Sequence, residues 1–144
     1  MLVSDLMERT PVTVAPEDSC RDAARLLSRY RVGALPVVNG DGTLKGILTD
    51  RDIVLRCLAL GKDPDRTPVR DCMTRQVLTV SPRDRVETAA ERMAKGQVRR
   101  LPAAEGGRLA GMVSLGDLSR VEAFRMEAAK ALAEISQGVT RLSK

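Results

Sequence analysis

The sequence predicts an α/β fold of two tandem β-α-β-β-α repeats packed with pseudo-twofold symmetry, followed by a C-terminal helix. Three observations lead to this prediction. The chain of 144 residues repeats itself at a fixed offset, both halves order their strand and helix patterns alike, and aromatic residues are only 1%, so the core must be aliphatic. One repeat of about 60 residues is marginally stable alone, whereas two can bury their sheets and helices against each other.

The internal repeat is the strongest of these signals. A shift of 66 positions aligns residues 3–38 with 69–104, and thirteen of the thirty-six aligned residues are identical. When one residue is dropped in the turn that follows, "GILTDRDI" (46–53) aligns with "GMVSLGDL" (111–118). We call these two segments the octets. Chance does not produce such self-similarity, so the chain is a duplication.

The predicted elements follow the same order in each half. A short apolar run before a proline, "PVTV" or "VLTV", predicts a strand, because proline cannot donate to a sheet ladder. Apolar spacings of three and four then predict one helix per half, on Cys20, Ala23, Ala24 and Leu27 and on Val86, Ala89, Ala90 and Met93. Next, "ALPVV" and "TLKGIL" are joined by the turn "NGDG", and "RLPAA" and "RLAGMV" by "EGG". A second helix starts near Asp50 or Gly116.

The domain boundaries come from the repeat and from the linker "GKDPDRTP" (61–68), which carries two prolines and a glycine. We expect repeat 1 at 1–62, repeat 2 at 67–122 and a helical extension at 123–144. A single long helix is predicted from about Asp117 to Ser136, with one apolar stripe: Val121, Phe124, Ala128, Leu132 and Ile135. The stripe suits either packing on its own core or a homodimer contact, and suits a membrane surface much less.

The composition excludes several function classes. The net charge of +5 permits an anionic partner, but the basic residues form no long tract. The scarcity of aromatic residues argues against base stacking, and no helix-turn-helix or RNA motif is visible, so nucleic-acid binding is disfavoured. No run approaches the ~20 apolar residues of a membrane span, and no signal-like segment is visible, which leads us to expect a cytoplasmic protein without a membrane partner.

Histidine and cysteine usage narrows the chemistry further. The chain has no histidine, which excludes Ser-His and Cys-His nucleophile pairs and an imidazole general base. The chain has three cysteines: Cys20, Cys57 and Cys72. Their odd number does not suit a disulfide framework, and the lack of a C-x-x-C pattern and of histidine does not suit a zinc site. Cys20 lies on the apolar stripe of its helix, so burial is favoured over a redox role. We therefore expect no metal site.

The octets admit two interpretations. Thr49 with Asp52, and Ser114 with Asp117, have the spacing of a capping box, in which the hydroxyl and the carboxylate satisfy free N–H groups at a helix start. The same pairs could hold a ribose and a phosphate, since a helix N-terminus attracts phosphate and an ionised carboxylate accepts hydrogen bonds from vicinal hydroxyls. The preceding glycine permits close backbone approach. The two interpretations are compatible.

The chain resembles a known family at this point. The pattern V-x-D-x-M, then V-T-V-x-P, A-A, V-x-x-L-P-V-V and G-x-L-x-G-I-L-T-x-x-D-I, is similar to the CBS domain, and two in tandem resemble a Bateman module. "VGALPVV", "GILTDRDIVLR" and "QVRRLP" together resemble stand-alone bacterial CBS-pair proteins of the hypoxic-response type, which suggests a stress-response context. The resemblance covers about residues 1–122. It implies a sensor without catalysis that binds AMP, ADP, ATP or S-adenosylmethionine, requires no cofactor and signals to an unknown partner protein.

The resemblance also implies two clefts between the repeats. In one, Asp117 would hold the ribose and Ser114 the phosphate, with Arg99 and Arg100 facing the phosphates. Two valines would flank the adenine there: Val3 and Val32. In the other cleft, Asp52 and Thr49 take the ribose and phosphate roles, and two further valines flank the base: Val69 and Val98.

The clefts differ at one place, because repeat 1 has Gly33 and Ala34 where repeat 2 has Arg99 and Arg100. Charge-assisted contacts are about twice as strong as neutral ones, so we expect the Asp117 cleft to prefer ligands with phosphate. The Asp52 cleft would take a less charged adenosyl ligand or stay empty. The alternatives left open are a water-facing or subunit-facing role for the two arginines, and a ligand-free homodimeric scaffold in which the octets only cap helices.

Overall fold

A computed structural model describes residues 1–121 and 125–143 of the chain. Its helices and strands follow in this order: α1 (Val3–Leu6), α2 (Cys20–Tyr30), β1 (Ala34–Val38), β2 (Leu44–Thr49), α3 (Asp50–Ile53), a π-helical turn (Val54–Leu58), a 3-10 turn (Val69–Asp71), α4 (Val86–Gly96), β3 (Arg100–Glu105), β4 (Arg108–Ser114), α5 (Leu115–Ser119) and α6 (Arg125–Ser143). In the part of the chain so described, no helix is both long and apolar enough to cross a membrane.

The chain forms two compact units that do not coincide with the sequence repeats. The repeat-1 unit comprises Thr10–Val77 with Gly107–Leu109, and the repeat-2 unit comprises Met1–Arg9, Leu78–Gly106 and Ala110–Lys144. The first segment of each repeat therefore belongs to the unit built mainly from the other repeat. Residues 1–9 bond to the repeat-2 unit through Val3 N–H to Asp84 O (2.8 Å) and Glu8 N–H to Met112 O (2.8 Å).

In the repeat-1 unit, β1 and β2 form an antiparallel pair in which Ala34 faces Thr49 and Pro36 faces Ile47. The three central residues of β1 are all buried, and with the apolar stripe of α2 that the helical spacing predicts they enclose an aliphatic core. Ser19 caps α2 by accepting a hydrogen bond from Asp22 N–H (3.1 Å). The expected strand at "PVTV" is reduced to one parallel bridge between Val14 and Val37.

The repeat-2 unit has the same plan, with β3 paired to β4 and α4 in the place of α2. Val80 makes the matching parallel bridge to Ala103. An aspartate stabilises the turn before the first long helix of each unit. Asp18 accepts from Ala15 N–H before α2, and Asp84 accepts from Ser81 N–H before α4, each at 2.8 Å. The predicted mixed α/β class and the order of elements are confirmed.

The prediction of one long helix from Asp117 to Ser136 is wrong. Helix α5 ends at Ser119, and α6 begins at Arg125 and packs against both α4 and α5. The chain turns at Arg120, just after α5, and the turn separates α5 from α6.

The predicted stripe on this helix is correct only in part. Ala128 and Ile135 are buried and Val121 packs on the core, but Leu132 is exposed and Ala131 is buried instead. Phe124 lies outside the described residues. Of the two roles left open for this helix, its stripe takes the packing role on its own core.

Candidate functional site

Both octets form complete capping boxes. In the repeat-1 unit, Thr49 N–H donates to Asp52 Oδ2 and Asp52 N–H donates to Thr49 Oγ1, each at 3.0 Å. In the repeat-2 unit, Ser114 N–H donates to Asp117 Oδ2 at 2.9 Å, and Asp117 N–H donates to Ser114 Oγ at 3.1 Å. The capping interpretation is confirmed, and it fixes the position of each hydroxyl and carboxylate.

The pairing of the strands places each octet beside the positions at which the two repeats differ in charge, Gly33 in one and Arg99 in the other. Asp50 N–H, at the first position of α3, donates to Gly33 O (3.2 Å), and Leu115 N–H, at the first position of α5, donates to Arg99 O (2.8 Å). The two units therefore share one backbone arrangement. It brings Arg99 next to Ser114 in the repeat-2 unit, where the repeat-1 unit has Gly33 next to Thr49.

The first glycine of each octet lies against another segment of the protein backbone. A Cβ on Gly46 would lie 2.6 Å from Thr74 O, and one on Gly111 would lie 2.5 Å from Glu8 O. Such distances leave no room for any side chain. The close approach that the sequence indicated is therefore made by the chain segment that each unit takes from the other repeat.

The capping boxes leave part of each aspartate available. Each carboxylate uses Oδ2 for the cap, and an ionised carboxylate can accept about four hydrogen bonds in all. The side chain of Asp117 is 25% exposed, so its remaining oxygen can reach a ligand. The Ser114 hydroxyl accepts in the cap and keeps its own proton to donate. Capping and ligand binding can thus coexist.

A third arginine, which the sequence analysis missed, lies beside Asp117. Arg120 Nη1 is 3.7 Å from Asp117 Oδ1, one helical turn along the chain. The i,i+3 spacing of acid and base was the signal that could have found it. Its counterpart in repeat 1 is Leu55.

The two octets differ in charge as a result. Three arginines and one aspartate lie on the segments that meet at Ser114, and Arg99 and Arg100 are both exposed. Around Thr49 the chain places Arg51 with two aspartates, Asp50 and Asp52. The formal charge is thus +2 at the repeat-2 octet and −1 at the repeat-1 octet.

The four valines predicted to flank a base have different environments. Val3 and Val69 have no exposed surface and belong to the cores of the repeat-2 and repeat-1 units, respectively. Neither side chain can meet a ligand without a rearrangement of its core. Val32, in the repeat-1 unit, is partly buried, and Val98, in the repeat-2 unit, is exposed, so both remain available.

All three thiols lie in the repeat-1 core, as the sequence favours. Cys20 Sγ lies 3.6 Å from Cys72 Sγ. Burial raises the pKa of Cys20 to about 12, and the neighbouring Cys72 thiol adds to the rise. Burial also raises the pKa of Cys72. Reactive thiols are exposed and have lowered pKa values, so this cluster is a packing feature.

Comparison with known proteins identifies the family. The family model of the CBS domain matches residues 3–58 and 69–123, one match for each repeat. The chain belongs to the CBS domain family. A relative in Bacillus subtilis strain 168, the CBS domain-containing protein YhcV, is 42% identical over 134 residues, which are 93% of this chain and 94% of the relative.

Solved CBS structures share the fold. The crystal structure of Hypoxic Response Protein I with two coordinated zinc ions has a TM-score of 0.78 and 31% identity, covering 83% of this chain and 98% of that one. The CBS domain pair of protein MJ0100, solved in complex with 5-methylthioadenosine and S-adenosyl-L-methionine, has a TM-score of 0.74 and 31% identity over the same shares. CBS domain proteins are generally regulatory.

Proposed function

We propose that this chain is a non-catalytic sensor that binds adenosine-containing ligands at its octets, assembles as a homodimer and signals to a partner protein. The observation that carries the proposal is the pair of capping boxes, which hold a hydroxyl and a partly exposed carboxylate at matched places in both units. The adenosyl ligands bound to the CBS pair of MJ0100 support the ligand class.

The carboxylates would bind the ribose. Asp117 Oδ1 faces Arg120 across 3.7 Å, which is longer than a hydrogen bond, so vicinal hydroxyls can compete for that oxygen. Asp52 would act in the same way in the repeat-1 unit. Val32 and Val98 are the valines we retain as contacts for a base.

The charge difference would decide the ligand at each octet. Ser114, Arg99, Arg100 and Arg120 together suit the phosphates of AMP, ADP or ATP, because hydrogen bonds to charged groups contribute roughly 1.5–3 kcal/mol each. The more acidic surroundings of Thr49 and Asp52 suit a ligand without phosphate, such as S-adenosylmethionine, whose sulfonium is positive. A ligand shifts the protein between two conformations only by its differential affinity for them.

Calorimetric titration tests the proposal. We expect ATP and AMP to bind the wild type, and Arg99→Ala combined with Arg100→Ala to weaken ATP at least about tenfold, as the loss of one or two charged contacts requires. Gly33→Ala, at the matching place in repeat 1, is the control and should leave ATP binding unchanged. Absence of binding by ATP, AMP and S-adenosylmethionine would refute the sensor function.

The ligand-free scaffold remains the second candidate, because both capping boxes are complete without a ligand. Asp117→Asn separates the two, since an amide oxygen can still accept from Ser114 N–H but carries no charge. In a sensor, this variant loses nucleotide-induced thermal stabilisation, which is about 2.7 kcal/mol at a hundredfold excess over Kd. In a scaffold, the wild type shows no such stabilisation to lose.

A further inference from the structure

One ion pair distinguishes the repeat-2 octet from the repeat-1 octet. The capping box uses Oδ2 of Asp117, which accepts a hydrogen bond from Ser114 N–H at 2.9 Å. The other carboxylate oxygen, Oδ1, lies 3.7 Å from Nη1 of Arg120. The oxygen that capping leaves available for a ligand is therefore the oxygen that the arginine faces.

The backbone fixes Arg120 at the end of α5, where its N–H donates to Gly116 O at 3.3 Å. Helical side chains lean towards the N-terminus of their helix, so the guanidinium reaches back over the preceding turn to Asp117. The Arg120 side chain is 82% exposed, and among the described residues Asp117 is the only partner of its guanidinium. The guanidinium can therefore leave Asp117 without disturbing the packing of the unit.

The repeat-1 octet shows that the fold does not need this arginine. Leu55 occupies the matching position and is 48% exposed. In the part of the chain that the structure describes, no cation pairs with Asp52, yet its two capping bonds are complete at 3.0 Å each. Exposed ion pairs contribute little to stability. The arginine at the repeat-2 octet is therefore free to serve binding.

We propose that Arg120 determines the ligand specificity of the repeat-2 octet by exchanging partners. Without a ligand, its guanidinium pairs with Asp117 and occupies the approach to Oδ1. The phosphate of a nucleotide draws the guanidinium away, and the ribose hydroxyls then bind Oδ1. Adenosine without a phosphate gives the guanidinium no substitute partner, so the octet discriminates against it. The proposal rests on the proposed function, in which Asp117 binds the ribose.

The charges of the groups involved favour this exchange. A guanidinium stays protonated and only donates, and a ribose hydroxyl is a neutral donor, so the two compete for the same acceptor on Asp117. A phosphate accepts two parallel hydrogen bonds from a guanidinium, and such charge-assisted pairs are stronger than neutral ones. The separation of 3.7 Å between Arg120 and Asp117 is longer than a hydrogen bond, so little is lost when the guanidinium moves.

Arg120 differs in this respect from the other two arginines of the octet. Arg99 and Arg100 are exposed, and within the described ranges of the chain neither pairs with a carboxylate. They can attract a phosphate, but they do not compete with a ligand for Asp117. Arg120 is therefore the arginine whose removal should affect ligands with and without phosphate in opposite directions.

Calorimetric titration with AMP and with adenosine tests the proposal. Both titrations use the Asp52→Asn background, which keeps the repeat-1 cap but removes the charge of its carboxylate, so that binding reports the repeat-2 octet. Arg120→Leu introduces the side chain that repeat 1 has at this position. We expect it to raise the Kd of AMP about tenfold, through the loss of a charged contact, and to lower the Kd of adenosine about threefold, through the loss of a competitor.

Arg83→Leu is the matched control. Arg83 belongs to the same unit, its side chain is 84% exposed, and it pairs with Glu105 at 3.1 Å, at the opposite end of β3 from Arg100. The variant removes the same charge from the unit and should leave the ratio of the two dissociation constants unchanged. If it changed that ratio as much as Arg120→Leu, net charge would set the preference and the exchange would be wrong.

Salt gives a second measurement of the same exchange. Screening weakens the exposed pair between Arg120 and Asp117, so adenosine should bind more tightly when the salt concentration rises from about 0.05 M to about 0.5 M. AMP should bind less tightly over the same range, because its attraction to the arginines is screened as well. In Arg120→Leu, adenosine binding should no longer depend on salt.

The outcomes separate this proposal from the proposed function. If neither AMP nor adenosine binds the wild type or the Asp52→Asn protein, ligand binding at the repeat-2 octet is refuted together with the exchange. If AMP binds but Arg120→Leu leaves adenosine unchanged or weaker, the sensor function stands and the exchange is overturned. An unchanged affinity for AMP in Arg120→Leu would overturn the exchange equally.

Discussion

The two units are built on one backbone plan but present different surfaces. The features that shape the plan are duplicated: the capping boxes, the turn aspartates Asp18 and Asp84, and the glycines Gly46 and Gly111. The units differ in the charged residues beside each octet and in whether a further helix covers the unit. The repeat-2 unit has three arginines at its octet and a covering helix, whereas the repeat-1 unit has neither.

This comparison separates what the fold requires from what it permits. Positions with the same burial and bonds in both units, such as Gly46 and Gly111, serve the shared backbone plan, so they cannot account for a difference in ligand between the two octets. Positions that differ without disturbing the backbone, such as Arg99 against Gly33, are free to be used for function. The duplication thus acts as an internal control.

The octet glycines should show the largest and most equal effects. Gly111→Ala and Gly46→Ala each place a Cβ within 2.6 Å of a backbone oxygen, which cannot move aside as a flexible side chain could. We expect each to reduce the free energy of unfolding by about 3 kcal/mol in urea denaturation.

Gly33→Ala is the matched control for the glycine variants, since a Cβ added at Gly33 would meet no atom within 4 Å and repeat 2 already has Arg99 there. It should change stability by less than about 0.5 kcal/mol. If Gly46→Ala were as mild as Gly33→Ala, the segment around Thr74 would not lie where the bond between Ile47 N–H and Thr74 O places it.

The covering helix should come next in size. Ile135→Ala removes a buried side chain from the contact of α6 with the repeat-2 unit, and we expect a loss of about 2 kcal/mol in thermal or urea unfolding. Leu132→Ala, on the exposed side of the same helix, should cost less than about 0.5 kcal/mol. Equal losses from the two variants would place the buried stripe elsewhere on α6.

The sequence predicted most of the fold because local patterns and the repeat agree with each other. Apolar spacing located α2 and α4, and the hydroxyl-x-x-aspartate pattern located both capping boxes. Two features depended on tertiary packing and were missed. Residues 1–9 join the repeat-2 unit through long-range bonds such as Glu8 N–H to Met112 O. Ala131 is buried in place of Leu132 because of the way α6 packs against α4 and α5.

The candidate site was predicted to a smaller extent. The family resemblance assigned Arg99 and Ser114 to one cleft, and the structure brings them together because the start of β3 lies beside the end of β4. The same reasoning could not distinguish a valine in a core from a valine at a surface, because both suit a strand or a turn. Val3 and Val69 are examples, since the family pattern marks both as contacts for a base and both are buried.

The thiol cluster should give the repeat-1 unit a pH dependence that the repeat-2 unit lacks. Cys20 corresponds to Val86, and burial raises its pKa from 9.0 to about 12. The folded state then holds the proton more tightly than the unfolded state, so the contribution is complete below pH 9 and is lost as the pH rises towards 12. We expect the wild type to lose about 1 kcal/mol more than Cys20→Val between about pH 8 and pH 10.

Urea denaturation of both proteins across that pH range measures the difference. Other groups titrate there too, but apart from the neighbouring Cys72 thiol they are the same in the wild type and the variant, so the difference reports the Cys20–Cys72 pair. Parallel pH profiles for the two proteins would contradict a buried, neutral thiol at this position.

The smallest stability effects, and the sharpest comparison, concern the capping hydroxyls. Thr49→Ala and Ser114→Ala each remove one acceptor of equal geometry, with bonds of 3.0 and 3.1 Å, so each should cost about 1 kcal/mol of unfolding free energy. With ATP present the two should diverge. Ser114→Ala should also lose a phosphate contact and much of the thermal stabilisation by ATP, whereas Thr49→Ala should keep it. Equal losses of that stabilisation would mean that the three arginines do not direct phosphate to the repeat-2 octet.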